Sequence, residues 1–135
     1  MTVHASGTFD VRIVPLALSE SASADTRGRM SINKQFHGDL EASSVGEMLT
    51  ATTATSGSMA YAAIEQVSGK LNGRNGSFVL QHTGIMNRGA PSLVVTVVPD
   101  SGTGELLGLS GTLTITIADG RHSYDLAYSL PDAAP

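Results

Sequence analysis

The sequence predicts an all-β fold, an antiparallel β-barrel of about eight strands. Three observations carry that expectation. Apolar and polar residues alternate with a period of two over a series of short segments. Gly, Pro, Asn, Asp and Ser collect between those segments, where the chain must turn. Long amphipathic helical periodicity is absent, and eight antiparallel strands favour closure, because closure removes exposed edges. A sandwich is the second choice of architecture.

The organising stretch is Gly76–Ile117, which holds the strand-like runs Ser77–Met86, Ser92–Pro99 and Gly111–Ile117. Their connections are too brief for helical crossovers, so they read as an antiparallel meander. Ahead of it, Gly7–Leu18 alternates Phe9, Val11 and Ile13 with Asp10 and Arg12, and Pro15 marks a bulge, an edge or a strand end. Ser19–Arg27 is small and polar and reads as a mobile loop. Arg29–Leu40 alternates most clearly: Met30, Ile32, Lys34, Phe36, Gly38 and Leu40 share one face. Val45–Thr55 has a helix-compatible Glu-Met-Leu centre, but its Thr-rich second half favours a strand.

In Ser58–Val67, Tyr61, Ala63, Glu65 and Val67 share a face. Leu71–Gly76 contains two Asn-Gly pairs, the strongest short signal for a tight hairpin. Phe78, Leu80, His82 and Met86 fall together on the next strand. Leu93–Val98 is nearly continuous in apolar residues and reads as buried on both faces. Ser101–Glu105 reads as a hairpin loop, Asp119-Gly120 as another turn, and Pro131–Pro135 as a frayed tail. The last strand, Arg121–Leu130, places His122, Tyr124, Leu126, Tyr128 and Leu130 on one side.

A chain of 135 residues is read as one domain spanning residues 1–135, long enough for a real core. Its net charge of -4 and scattered Lys and Arg speak against a nucleic-acid partner. The absence of Cys excludes disulfides and thiolate chemistry. The N-terminus lacks a signal-peptide pattern and no apolar run is long enough to span a bilayer, so the expectation is cytoplasmic, with no membrane partner.

Metal chemistry has little support, because His4, His37, His82 and His122 lie far apart without ligand spacing. Ser110 lies outside any nucleophile elbow. The glycines near Ser101 lack the Lys-Ser/Thr ending of a phosphate loop. Acid–base chemistry remains. His82, Glu65 and Tyr124 are polar groups on otherwise apolar faces and are the candidate catalytic residues, since such groups move protons when they line a cavity. Lys34, Phe36, Tyr61, Phe78, Leu80 and Tyr128 are the candidate ligand-binding residues. The plainer alternative is that the polar groups only hydrogen-bond within the barrel, with Lys34 snorkelling to its rim. Tyr61 and Glu65, four residues apart on a strand, are separated by roughly 13 Å and do not touch.

Gly28–Leu49, Tyr61–Gly84, Val97–Ile117 and His122–Leu130 together resemble a bacterial family of unknown function whose members are similar to the allene oxide cyclase barrel. The resemblance covers nearly the whole chain. It implies an eight-stranded antiparallel barrel with a central cavity, a dimer or trimer, and no cofactor. Related barrels bind apolar reactive intermediates and steer ring closure or coupling. The cavity carboxylate of the plant cyclases has no matching motif here, so no residue role is carried over. The expected function is therefore binding of an apolar or amphipathic small molecule in the barrel, with cofactor-independent cyclisation or isomerisation as the reaction. The alternative is a structural or interaction protein with a packed barrel and an oligomeric surface.

Overall fold

A computed structural model describes residues 1–18 and 26–131. The loop expected at Ser19–Arg27 lies mostly outside the described residues, as does nearly all of the expected C-terminal tail. Eight strands follow one another in chain order: β1 (Val3–Leu16), β2 (Arg27–Gly38), β3 (Leu40–Thr52), β4 (Met59–Leu71), β5 (Arg74–Asn87), β6 (Ala90–Val97), β7 (Ser110–Ala118) and β8 (Arg121–Ser129). Each pairs antiparallel with its neighbour, and β8 returns to β1, so the sheet is a closed up-and-down barrel. Among the described residues no helix is long and apolar enough to cross a membrane.

Turn chemistry sets the hairpins. Asn72-Gly73, Arg88-Gly89 and Asp119-Gly120 all have positive φ, as a two-residue turn matched to strand twist requires. The second Asn-Gly pair, Asn75-Gly76, lies inside β5. Arg29–Leu40 is not one strand: the chain reverses at Gly38 (φ 107°) and Asp39, and Leu40 opens β3. Asp39 is held there by its N–H on the Ser6 carbonyl (3.1 Å). The Glu-Met-Leu centre is strand throughout, because Ala42, Ser44, Gly46, Met48 and Thr50 alternate inward along β3.

The interior has two halves. Toward the end that carries the β2–β3 and β4–β5 turns it is solid, with Phe36, Leu40, Val67, Leu71, Phe78, Leu80 and Leu126 nearly fully buried. The connection from β6 to β7 is longer than a hairpin loop. It contains a 3-10 turn, Gly104–Leu106, and seats Leu106 and Leu109 (each 1% exposed) in the core at that end. Thr103 holds it down, its N–H donating to the Ser77 carbonyl (2.9 Å). The other half is wider, and its inward residues leave a cavity.

The expectation that Leu93–Val98 is buried on both faces is overturned. Val95 and Val97 point inward, whereas Val94 is 56% exposed on the outside. A barrel wall has an outer face, and here that face also carries apolar residues. The β6–β7 ladder is also short, with Thr96–Thr112 as its one register pair. Beyond it toward the cavity, the two strands run without mutual pairing.

Tyr124 belongs to the solid half. Its hydroxyl accepts the Leu40 N–H (2.9 Å) and donates to the His37 carbonyl (2.9 Å), tying β8 across the β2–β3 turn. Burial, with lesser help from the charges of Asp39 and Glu41 and against the Leu40 hydrogen bond, raises its pKa above the usual 10.0, so it stays a phenol. Tyr124→Phe strands two backbone groups and is expected to cost about 1–3 kcal/mol in denaturant unfolding.

Candidate functional site

At the boundary between the two halves sits a buried polar cluster centred on Glu65. The inward period of β4 puts Glu65 between Ala63 and Val67, facing the barrel axis. Register places it opposite Gly46 on β3 and Leu80 on β5. Ser44, Gly46 and Ala63 are small, which leaves room for long polar side chains between the walls.

The Glu65 side chain is fully buried, and its carboxylate accepts hydrogen bonds from three other strands. Lys34 Nζ on β2 donates to Oε1 (3.1 Å), as does His82 Nε2 on β5 (2.8 Å). Ser44 Oγ on β3 donates to Oε2 (2.5 Å). On the other side of the imidazole, Tyr61 Oη lies 3.3 Å from His82 Nδ1. With Nε2–H committed to the carboxylate, Nδ1 is the acceptor and the phenol the donor. Among the described residues every buried side-chain nitrogen and oxygen has a hydrogen-bond partner.

Burial by itself pushes the Glu65 pKa up, but the His82 hydrogen bond, the Lys34 charge and the Ser44 hydroxyl together overrule it. The net direction is down, so Glu65 is ionised. Tyr61 moves the other way: burial first, then the Glu65 charge, raises its pKa above 10.0. It remains protonated.

Above the cluster lies a cavity of about 470 Å³. Lys34, Tyr61 and His82 form the polar part of its wall at the cluster, and Thr50, Ser92 and His122 add further polar groups. Phe9, Met48, Ile115 and other apolar side chains form most of the rest. It opens at the end carrying the β5–β6 and β7–β8 turns, where lining residues such as Ile117 (65% exposed) and Ile85 (53%) meet solvent. Gly84 faces Tyr61 across the β4–β5 ladder, and a Cβ there would come within 2.4 Å of the tyrosine ring. The missing side chain is what lets Tyr61 lie over β5 and reach His82.

Only one of the three protons on Lys34 Nζ is used by a hydrogen bond among the described residues. The ammonium also sits 4.6 Å from the Phe9 ring centre and 5.6 Å from that of Phe36, an attractive arrangement of cation and ring face. Glu65 lies behind Lys34 and His82 and is not part of the cavity wall. Toward the cavity the cluster offers the free N–H groups of Lys34 and the oxygen of Tyr61, whose own proton is spent on His82.

Of the sequence-derived candidates, Lys34, Tyr61, Glu65 and His82 come together here. Tyr61 and Glu65 do not touch, and His82 from the adjacent strand bridges them. Tyr124 is placed elsewhere, in its backbone-tying role. Phe36, Phe78 and Leu80 share the inward faces of the site strands but lie in the packed half, away from the cavity. Tyr128 also lies there, its hydroxyl accepting from Asn72 Nδ2 (2.6 Å). Ser44 escaped notice because it precedes the segment read as a strand. His122 lines the cavity, its ring tilted against Phe9 with centres 5.2 Å apart, and its place on the Tyr124 face was the available signal. Among the described residues no three His, Asp or Glu side chains are placed to hold a metal ion.

Fold and site together define a small antiparallel barrel, half solid and half hollow, with an ionised carboxylate sealed beneath the floor of the hollow. The chain belongs to the family described as Protein of unknown function (DUF3224), which it matches over residues 5–128. It is similar to the crystal structure of a protein of unknown function from the DUF3224 family of Shewanella oneidensis MR-1, at 48% sequence identity and a TM-score of 0.91. The likeness covers 97% of this chain and 99% of that one. No curated protein matches the chain.

The depressed Glu65 pKa makes a pH prediction. Its ordinary value is 4.5 and its folded value lies lower, so its stabilisation is complete above 4.5 and is lost as pH falls through the folded value. Stability measured in denaturant from neutral pH down to about pH 3 is expected to fall more steeply for the wild type than for Glu65→Gln.

Proposed function

We propose that the barrel binds a small apolar or amphipathic molecule in its open half, with the molecule's polar end at Lys34, Tyr61 and His82. The observation that carries this reading is the cavity itself: about 470 Å³, mostly apolar, with a few polar groups converging at one end. That volume falls within the range of small-molecule sites, roughly 300–1,000 Å³. The Glu65–His82 pair adds the means for acid–base assistance, since a carboxylate orients the imidazole and stabilises its protonated form. The resemblance to cyclase barrels supports a cofactor-independent isomerisation or cyclisation.

The test is native mass spectrometry of freshly purified protein, followed by denaturing extraction, together with titration of an apolar fluorescent dye. Dye binding with a co-purified small molecule is the expected result. Ile115→Trp, which fills the cavity from β7, is expected to lower dye affinity at least tenfold. A protein that takes up neither dye nor native ligand would overturn the reading.

A second reading concerns the outside of the barrel, and we infer that it pairs with another copy of the chain. Ile64 (54% exposed) and Val94 (56%) stand on a surface where the outward residues of 60–66, 79–85 and 92–96 include no charged side chain. In an acidic chain, such a neutral face meets its own copy without like-charge repulsion, as a self-complementary interface requires. Sedimentation equilibrium is expected to find an oligomer that Ile64→Lys/Val94→Lys reduces to monomer. A monomeric wild type would end this reading.

A further inference from the structure

We propose that the molecule held in the cavity is a neutral oxo compound, an apolar ketone or enone, and that the site shifts a proton between two of its carbons. The inference rests on the cavity being a ligand site.

Charge selects the head group. Glu65 already balances Lys34 at 3.1 Å, so a ligand carboxylate would add an unbalanced negative charge next to a buried pair, a costly arrangement. A carbonyl oxygen adds no charge and needs only a donor. Lys34 Nζ supplies one, having two protons not spent on Glu65, and it borders the cavity. A ligand ammonium would meet that same cation and be repelled. Of the common polar heads, the neutral oxo group fits the wall best.

Connectivity selects the reaction. Tyr61 and His82 both border the cavity, Tyr61 Oη lies 3.3 Å from His82 Nδ1, and His82 Nε2 rests on Glu65 Oε1 at 2.8 Å. A proton leaving the carbon beside the carbonyl passes to Tyr61 Oη as the tyrosine's own proton passes to His82 Nδ1. The electron pair of the broken C–H bond moves into the dienolate, whose oxygen takes a hydrogen bond from Lys34. The path then reverses: His82 returns its proton to Tyr61, and Tyr61 protonates the γ-carbon. The double bond has moved into conjugation, no proton is gained or lost, and no other reactant is consumed. Tyr61 and Lys34 are the catalytic residues, His82 is the relay next to Tyr61, and Glu65 positions the relay through its hydrogen bond to Nε2. The other titratable group on the cavity wall, His122, packs at a tilt against Phe9 and is given no role in the step.

The probe is a straight-chain β,γ-unsaturated methyl ketone, whose conversion to the conjugated enone is followed by ultraviolet absorbance, with binding measured by displacement of the apolar dye. Wild type is expected to bind and conjugate it, and to bind the carboxylic acid of equal chain length about tenfold less well or worse. Tyr61→Phe and His82→Gln are expected to keep binding the apolar dye while turnover of the ketone at saturation falls about a hundredfold or more. Lys34→Met/Glu65→Gln removes both charges together, which avoids stranding a buried ion, and is expected to lose the preference of ketone over acid. A ketone that displaces the dye without conjugation, and without exchange of its α-protons for deuterium in heavy water, overturns the proton shift and leaves the cavity reading standing. Turnover unchanged in Tyr61→Phe overturns it as well. If neither dye nor ketone enters, both fall.

Discussion

The structure turns on one buried carboxylate. Glu65 has no access to water, and an ion there is tolerable only if fully hydrogen-bonded and paired. Lys34, Ser44 and His82 meet that demand from three different strands, so the charge requires β2, β3, β4 and β5 to hold one register. A one-residue slip in any of them would turn its polar side chain outward and leave the carboxylate unpaired. The cluster therefore specifies the barrel as well as furnishing it.

It also divides the interior. On one side, Phe36, Phe78 and Leu80 pack with the leucines that close the barrel end into one buried cluster. On the other, Phe9, Met48 and Ile115 surround open space. A wholly apolar interior could have collapsed from end to end. The polar floor gives one side of the cavity groups that prefer to stay where their partners are, with Lys34 also held over the Phe9 ring.

The faces of the strands were legible in the sequence, and the height of each residue along the barrel was not. Period two correctly grouped Lys34 with Phe36, Glu65 with Tyr61, and His82 with Leu80. It could not say that Lys34 stands at the cavity while Phe36 lies beneath it, because both point inward. Tyr124 shows the same blindness: it is inward, polar and among apolar neighbours, yet it serves two backbone groups at the solid end. Height depends on strand stagger, which is set by pairings between distant segments. Lys34 and Glu65, opposite charges on two inward faces, were the trace of the cluster that the sequence did carry. The outward Val94 misled for a related reason, since an apolar outer face looks the same on paper as an inner one.

Closure of this barrel is also uneven. Where β6 and β7 part beyond Thr96 and Thr112, each presents a short edge, and the segments concerned, Leu93–Val95 and Leu113–Ile117, are rich in β-branched and aliphatic residues. Unpaired edges of that composition are the usual starting points for sheet formation between molecules. The side of the wall nearest the hollow is thus where partial unfolding leads most directly to strand exchange or aggregation. Keeping an interior accessible places the fold's weakest closure beside the very space that makes it useful.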